Sequence, residues 1–296
     1  YESLSMKSRQ WKLVSASELS SVFEAKASMS NFTLIQRVIV YHQVKKIDVE
    51  YDIPDWPGIH NRQIRAVFPL AMDVAQVTYD VPVGIVNVGK DELNMAPRGW
   101  SWEGTYRQMP REIHPREIEN FVSASNNDFG FTMSTNLAVA DWIDPGRESV
   151  DYPVLQGIML SSHKSCHYLG NWYHQKGSHS FRFTISSHKS GWENAFSIGV
   201  EGNHPLIAVV KDQPGKGRLP SELSFVSISS PIVRVTTIKK ADNGNGFIMR
   251  LVNMENVDRQ VDMALWKPAG SMIRTNLIEE DLSDTGQKGT ALKINI

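Results

Sequence analysis

Cysteine is nearly absent. Cys166 is the sole one, so no disulfide can form within the chain and no thiolate cluster can be assembled from it. Long apolar runs are missing too, and nothing approaches the roughly 20 residues that a membrane-spanning helix needs. Charge of one sign is also lacking: 31 Lys and Arg face 32 Asp and Glu, scattered along the sequence. That balance leaves no electrostatic footprint for nucleic acid or an anionic membrane, and neither is expected as a partner. Glycine fingerprints of phosphate-binding folds are absent, as is any strand-helix-strand alternation, so a parallel barrel or a dinucleotide fold is not encoded. The first residues, YESLSMKSRQWKLVSASEL, show neither an initiator methionine nor a signal-peptide layout, and we read them as a cut within a longer protein.

What is present is alternation. From Asn31, Phe32, Leu34, Val38, Val40 and Val44 fall on one parity while Thr33, Arg37, Tyr41 and Lys45 fall on the other, which predicts a long strand. VKKIDVEYDI continues in that style, and DWPG reads as a turn. The stretch Trp56 to Val88 then reads as two strands, Arg65 to Leu70 and Val74 to Val83, the latter ending at Pro82 and Gly84. Together these segments predict a meander. Residues 1–30 are ambiguous: Ser17 to Ser28 suits a short helix, and WKLVSASEL suits a strand equally well.

Residues 85–116 lose any period and read as a structured loop or a hairpin with a long connection, carrying Trp100, Trp102 and Tyr106. PREIENFVSAS suits a helix or a strand, and its β surroundings favour the strand. Further strands are expected at Phe129 to Met133, Leu137 to Ile143, Val154 to Leu160, SHSFRFTIS and AFSIGVE. Pro, Gly and charge without periodicity at KDQPGKGRLPSE place a boundary there, giving domains 1–212 and 222–296. Beyond it LSFVSIS, IVRVTTIKKA, FIMRLVN and QVDMALW predict a small antiparallel sandwich, with ADNGNGF as a hairpin turn. The fold class is all-β: a large antiparallel supersandwich followed by a smaller β-sandwich.

Catalytic candidates are scarce. Asp141 and Asp144 are the nearest approach to a carboxylate pair, but their spacing at a strand end sets them on opposite faces. Glu112, Glu117 and Glu119 read as solvated. His163 and His167 stand four apart, roughly 13 Å along a strand, which is too far for one metal ion. His179 sits on an apolar face and reads as a satisfied structural histidine. His42, His60, His114, His174, His188 and His204 lack ligand spacing. No catalytic residue and no metal ligand are assigned.

Several segments, taken in order, resemble glycoside hydrolase family 38, the α-mannosidases: IQRVIVYHQVKKIDVEYDIPDW, RAVFPLAMDVAQVTYDVPVG, GSHSFRFTISSHKSGW, EGNHPLIAV and IKKADNGNGFIMRLVN. The resemblance covers most of residues 31–266 and is to the β-rich C-terminal part of the family. It implies a supersandwich related to galactose mutarotase and a smaller sandwich after it. It further implies that the parent protein is a retaining α-mannosidase whose zinc ion and nucleophilic aspartate belong to a preceding α/β catalytic domain. That domain is absent from this chain, so no cofactor is expected here and the chain alone is expected to be inactive. The implied partners are the catalytic domain of the same polypeptide and an α-mannoside glycan.

Many family members carry arginines just after the strand matching VLQGIML, near the sugar pocket. Here SSHKS follows, a departure that leaves Ser162, His163 and Lys164 as substrate-binding candidates. Arg98, Trp100 and Trp102 are the others, because indole faces stack on the apolar side of a pyranose; plugging a sandwich end is the more ordinary role for the same tryptophans. Two rival readings stand beside this one. A free-standing carbohydrate-binding sandwich would need an aromatic platform on a solvated face, and a mutarotase-type sugar enzyme would need a histidine and a carboxylate converging in a cleft.

Overall fold

The computed structural model describes residues 2–73, 75–91, 115–143, 152–164, 170–212, 215 and 217–296. The chain divides into two compact units, Tyr1–Pro205 and Leu206–Ile296. The first holds strands β1 (Lys12–Ala16), β2 (Ser20–Ser28), β3 (Thr33–Tyr41), β4 (Ile47–Trp56), β5 (Arg62–Pro69), β6 (Gln76–Val81) and β7 (Gly84–Asn87). There follow β8 (Arg116–Glu117), β9 (Phe121–Ser125), β10 (Gly130–Thr135), β11 (Val139–Ile143), β12 (Val154–Lys164), β13 (Trp172–Tyr173), β14 (Gly177–His188) and a helix, α1 (Trp192–Asn203).

Nine of these strands make one antiparallel sheet in the order β1-β2-β3-β4-β14-β10-β9-β6-β7, and the second sheet runs β13-β12-β11-β8 with β5 also paired to β12. Alternation in the sequence fixes the register of the larger sheet. Lys12, Glu24, Arg37, Glu50 and Arg182 stand side by side across five strands, so opposite charges neighbour one another along the row. One residue further along, Leu13, Phe23, Val38, Val49 and Phe183 make an apolar row on the other face. A one-residue slip of any strand would bring charge onto the apolar face, so that register is strongly specified.

The inner end of the apolar row joins the core. Phe183 and Ile53 are fully enclosed, with Leu155, Met133 and Ala124 around them. Phe183 packs edge-on against Tyr51 and tilted against Phe68, which belongs to the opposite sheet. It also lies over Gly157, where an added Cβ would come within 2.3 Å of the ring. Gly157 therefore stands where a large ring passes close to the backbone.

The structure settles the ambiguous parts of the sequence and corrects others. Residues 12–28 hold two strands, β1 and β2, and the one strand expected over 115–125 is two, β8 and β9, which join different sheets. Asp55 and Trp56, read as turn, end β4 instead, because the indole is buried against Phe32 at 5.3 Å. The expected meander breaks after β4, since β5 leaves for the other sheet, where its partner is β12. AFSIGVE, expected as a strand, lies in α1. Its Ala195, Phe196, Gly199 and Gly202 are the buried side of the helix, and Phe196 meets Phe121 on the sheet. A Cβ on Gly199 would fall 2.3 Å from the Phe121 ring, and one on Gly202 would fall 2.4 Å from Ser134 Oγ. The two glycines allow the helix to lie directly on β9 and β10.

The second unit holds β15 (Val226–Ile228), β16 (Val233–Lys240), β17 (Phe247–Asn253), β18 (Gln260–Ala269), β19 (Ile273–Thr275), β20 (Asp281–Asp284) and β21 (Gly289–Asn295). They pair as β15-β18-β21, β16-β17 and β19-β20, all antiparallel. The segment 211–222 lies near the start of this unit. The expected hairpin turn joins β16 to β17, with Gly244 at φ 82° and Gly246 at φ 93°, values that favour glycine. Val233, Val261, Met263 and Leu292 form its buried centre.

Candidate functional site

β12 carries buried residues from Val154 to Leu160, and its pairing with β5 shifts register between Ile158 and Leu160. Such a bulge re-aims the side chains beyond it. After it Ser162 turns inward and His163 outward. Ser162 is 1% exposed; its hydroxyl donates to the His174 carbonyl at 2.8 Å and accepts from Trp56 Nε1 at 3.3 Å. Of the expected sugar-contacting trio, Ser162 thus ties the end of β4 to the residue after β13. His163 lies on the surface and Lys164 at its margin. Arg98, Trp100 and Trp102 lie outside the described residues, as do Glu112, His114, Asp144, Cys166 and His167.

The end of β12 pairs with β13, His163 opposite Tyr173 and Lys164 opposite Trp172. Two loops close around this pair. Gly58, at φ 74°, passes so close to residue 174 that a Cβ would meet the His174 Cβ at 2.7 Å. Its carbonyl accepts from His174 Nδ1 at 3.0 Å, which leaves Nε2 as the acceptor of the neutral ring. His60 consequently stacks on Trp172 with centroids 3.8 Å apart and planes within 8°, and sits 4.6 Å from His174. Lys164 Nζ stands 5.1 Å from the same indole, within cation–π range, and the His163 and Tyr173 rings are 6.4 Å apart. Tyr173 is 55% exposed.

The result is a patch of stacked rings edged by an ammonium, a phenol and imidazoles. Chemically it can stack on an apolar face and hydrogen-bond to hydroxyls. His60, Trp172 and His174 escaped the sequence reading because 112 residues separate His60 from Trp172; the aromatic run NWYH was the one local signal.

Carboxylates are held elsewhere. Asp141 Oδ2 accepts from Arg65 Nη1 at 2.7 Å, and that nitrogen also reaches Gln156 Oε1 at 2.6 Å. Asp80 accepts from the Asn120 and Phe121 amides and from Asn120 Nδ2, each at 2.8 Å; burial nonetheless pushes its carboxyl above the ordinary value. Asp48 accepts from Thr184 at 2.6 Å and Tyr41 at 2.8 Å. Burial first, then that carboxylate, push the Tyr41 phenol up to about 12. His179, as expected, is satisfied, its Nε2 on the Gln175 carbonyl at 2.6 Å. Glu117 and Glu119 are exposed. Among the described residues no three His, Cys, Asp or Glu side chains come together to hold a metal.

Residues 233–296 match the model of the glycosyl hydrolases family 38 C-terminal beta sandwich domain. The crystal structure of an alpha-mannosidase from Enterococcus faecalis V583 aligns with 97% of this chain at 14% identity and a TM-score of 0.64. The family 38 likeness by sequence thus lies in residues 233–296, and over the rest of the chain the likeness is one of fold. A second Enterococcus faecalis structure, of a protein in the glycosyl hydrolase family 38, aligns over 97% at 13% identity and a TM-score of 0.66. The chain covers 35% and 36% of those two structures, about a third of their length. A putative aldose 1-epimerase from Escherichia coli K12 aligns over 61% of the chain and 69% of its own at 10% identity and a TM-score of 0.34, too loose to argue from. No curated protein matches by sequence.

Proposed function

We propose that this chain is the C-terminal region of a family 38 α-mannosidase and serves it as a non-catalytic support. It buttresses an α/β catalytic domain of the same polypeptide and lends the rim at His163 and Lys164 to one wall of the sugar pocket. Retaining hydrolysis needs two carboxyl groups about 5 Å apart, one as nucleophile and one as acid and base. The observation that carries the reading is the state of the buried aspartates: Asp48, Asp80 and Asp141 are each committed to hydroxyl, amide or guanidinium donors of the sheets. The nucleophile and the zinc ion would then come from the catalytic domain.

The test is turnover of an aryl α-mannoside by the purified 296-residue chain with zinc added. None is expected, and turnover at a rate that survives repurification would overturn the reading. In the longer polypeptide, replacing His163 and Lys164 together by Ala should raise KM several-fold with kcat nearly kept, because contacts made equally in the ground and transition states act on KM. An unchanged KM removes them from the wall.

A second reading, a carbohydrate-binding module, is favoured by the exposed Tyr173 beside the stacked His60 and Trp172. It predicts that the chain alone binds α-mannosides in a calorimetric titration, and that Trp172→Ala abolishes the heat. A mutarotase-type enzyme is disfavoured, since the imidazole of His174 is hydrogen-bonded to the Gly58 carbonyl and His60 is stacked on Trp172.

A further inference from the structure

The nine-stranded sheet is wider than the sheet that covers it. Along the row Phe183, Val49, Val38, Phe23, Leu13, exposure rises outward: Phe183 is 0% exposed and Val49 6%, whereas Phe23 is 37% and Leu13 58%. The row beside it, Ile185, Ile47, Val40, Ser21, Ala16, continues the same apolar face. On the reverse of the same strands lies the charged row, where Arg37 bonds Glu24 at 2.8 Å and Asp52 at 2.5 Å. The reverse of β1–β3 thus carries charge among the half-buried Val22, Ile35 and Ile39, while the other face continues the core beyond its cover. An apolar face of that kind, continuous with an interior, calls for a further apolar layer.

We propose that the open face made by Leu13, Phe23, Val38 and Val40 is the docking surface for the further domain of the same polypeptide. The inference rests on the support reading above and assigns residues to it. The family 38 structures that accommodate 97% of this chain are about three times as long, so polypeptide to supply the missing layer exists in proteins of this fold. The occupant presents an apolar face. The charged reverse, with Lys26 on it, remains in water.

Thiol labelling decides the matter. In a Cys166→Ser background, Leu13→Cys and Phe23→Cys report on the apolar face and Lys26→Cys on the charged one, each measured in the 296-residue chain and in the longer polypeptide. All three positions are surface-accessible in the chain, so substitution there spares the core. In the longer polypeptide, labelling at positions 13 and 23 should slow at least tenfold while position 26 is unchanged. If a longer, active polypeptide labels equally at 13, 23 and 26, the docking face is wrong and the support reading stands. A reading frame with no further domain overturns both. Concentration-dependent protection of positions 13 and 23 in the chain alone makes a second copy the occupant and overturns the proposal.

Discussion

Asp80 shows how a single buried residue organises its surroundings. At 1% exposure its carboxylate gathers the amides of Asn120, just before β9, and of Phe121, its first residue, together with the Asn120 side chain. Leaving buried donors without acceptors costs about 1–3 kcal/mol each, partly recovered by relaxation. Asp80→Ala should therefore lower the unfolding free energy by about 3 kcal/mol, read from the shift of the urea midpoint. A shift within error would mean that water takes the place of the carboxylate. His188 gives stability a pH dependence near neutrality. Burial first, and Lys45 nearby, hold its pKa below the ordinary 6.5, against the Nδ1 bond to the Lys189 carbonyl; Nε2 meets the Thr132 hydroxyl at 2.8 Å. The folded state thus binds fewer protons than the unfolded one below pH 6.5, so this stabilisation is present above that value and is lost as pH falls through the depressed one. The urea midpoint should drop between pH 7.5 and 5.5, and His188→Gln should flatten the drop; an equal drop in the variant would assign it elsewhere. Neither residue's role is legible in sequence. Asp80 stands in an ordinary strand pattern, and its partners lie 40 residues on.

Elements were more legible than residues where one face meets water. SHSFRFTIS alternates because β14 lies inside a half-covered sheet, and the Asn-Gly pairs of ADNGNGF announce their own positive φ values. AFSIGVE misled because a short apolar run fits a strand or a buried helix alike. The arbiter is tertiary: Gly199 and Gly202 lower helix propensity yet let α1 rest on Phe121 and Ser134. Substituting Gly199 by Ala poses the two effects against each other, with a propensity gain of about 1 kcal/mol against an overpacking cost of about 1–3 kcal/mol. Overpacking should win, because the clash is with the root of the Phe121 side chain, whose Cβ lies 2.7 Å from the added atom. Gly199→Ala should lower the melting temperature and speed amide exchange across α1. A stabilised variant would show that the helix stands further from the sheet.

At the scale of the whole molecule, the pattern predicted an all-β chain but not the assignment of strands to sheets. β5 and β6 are neighbours in sequence and read alike, yet they join different sheets because their partners, β12 and β9, are chosen by contacts distant in the chain. The candidate site has the same origin, since two loops separated by more than a hundred residues bring His60 onto Trp172. What the rows of the large sheet do make plain is one face for burial and a reverse that α1 covers over β9 and β10 and that carries the charged row over β1–β3, together with buried aspartates bonded within the sheets. The most direct test of that account is to delete residues 1–296 from the longer reading frame and measure melting temperature and α-mannoside turnover of what remains. A support predicts a remainder that melts many degrees lower and loses most of its turnover. A remainder as stable and as active as the intact polypeptide would contradict it.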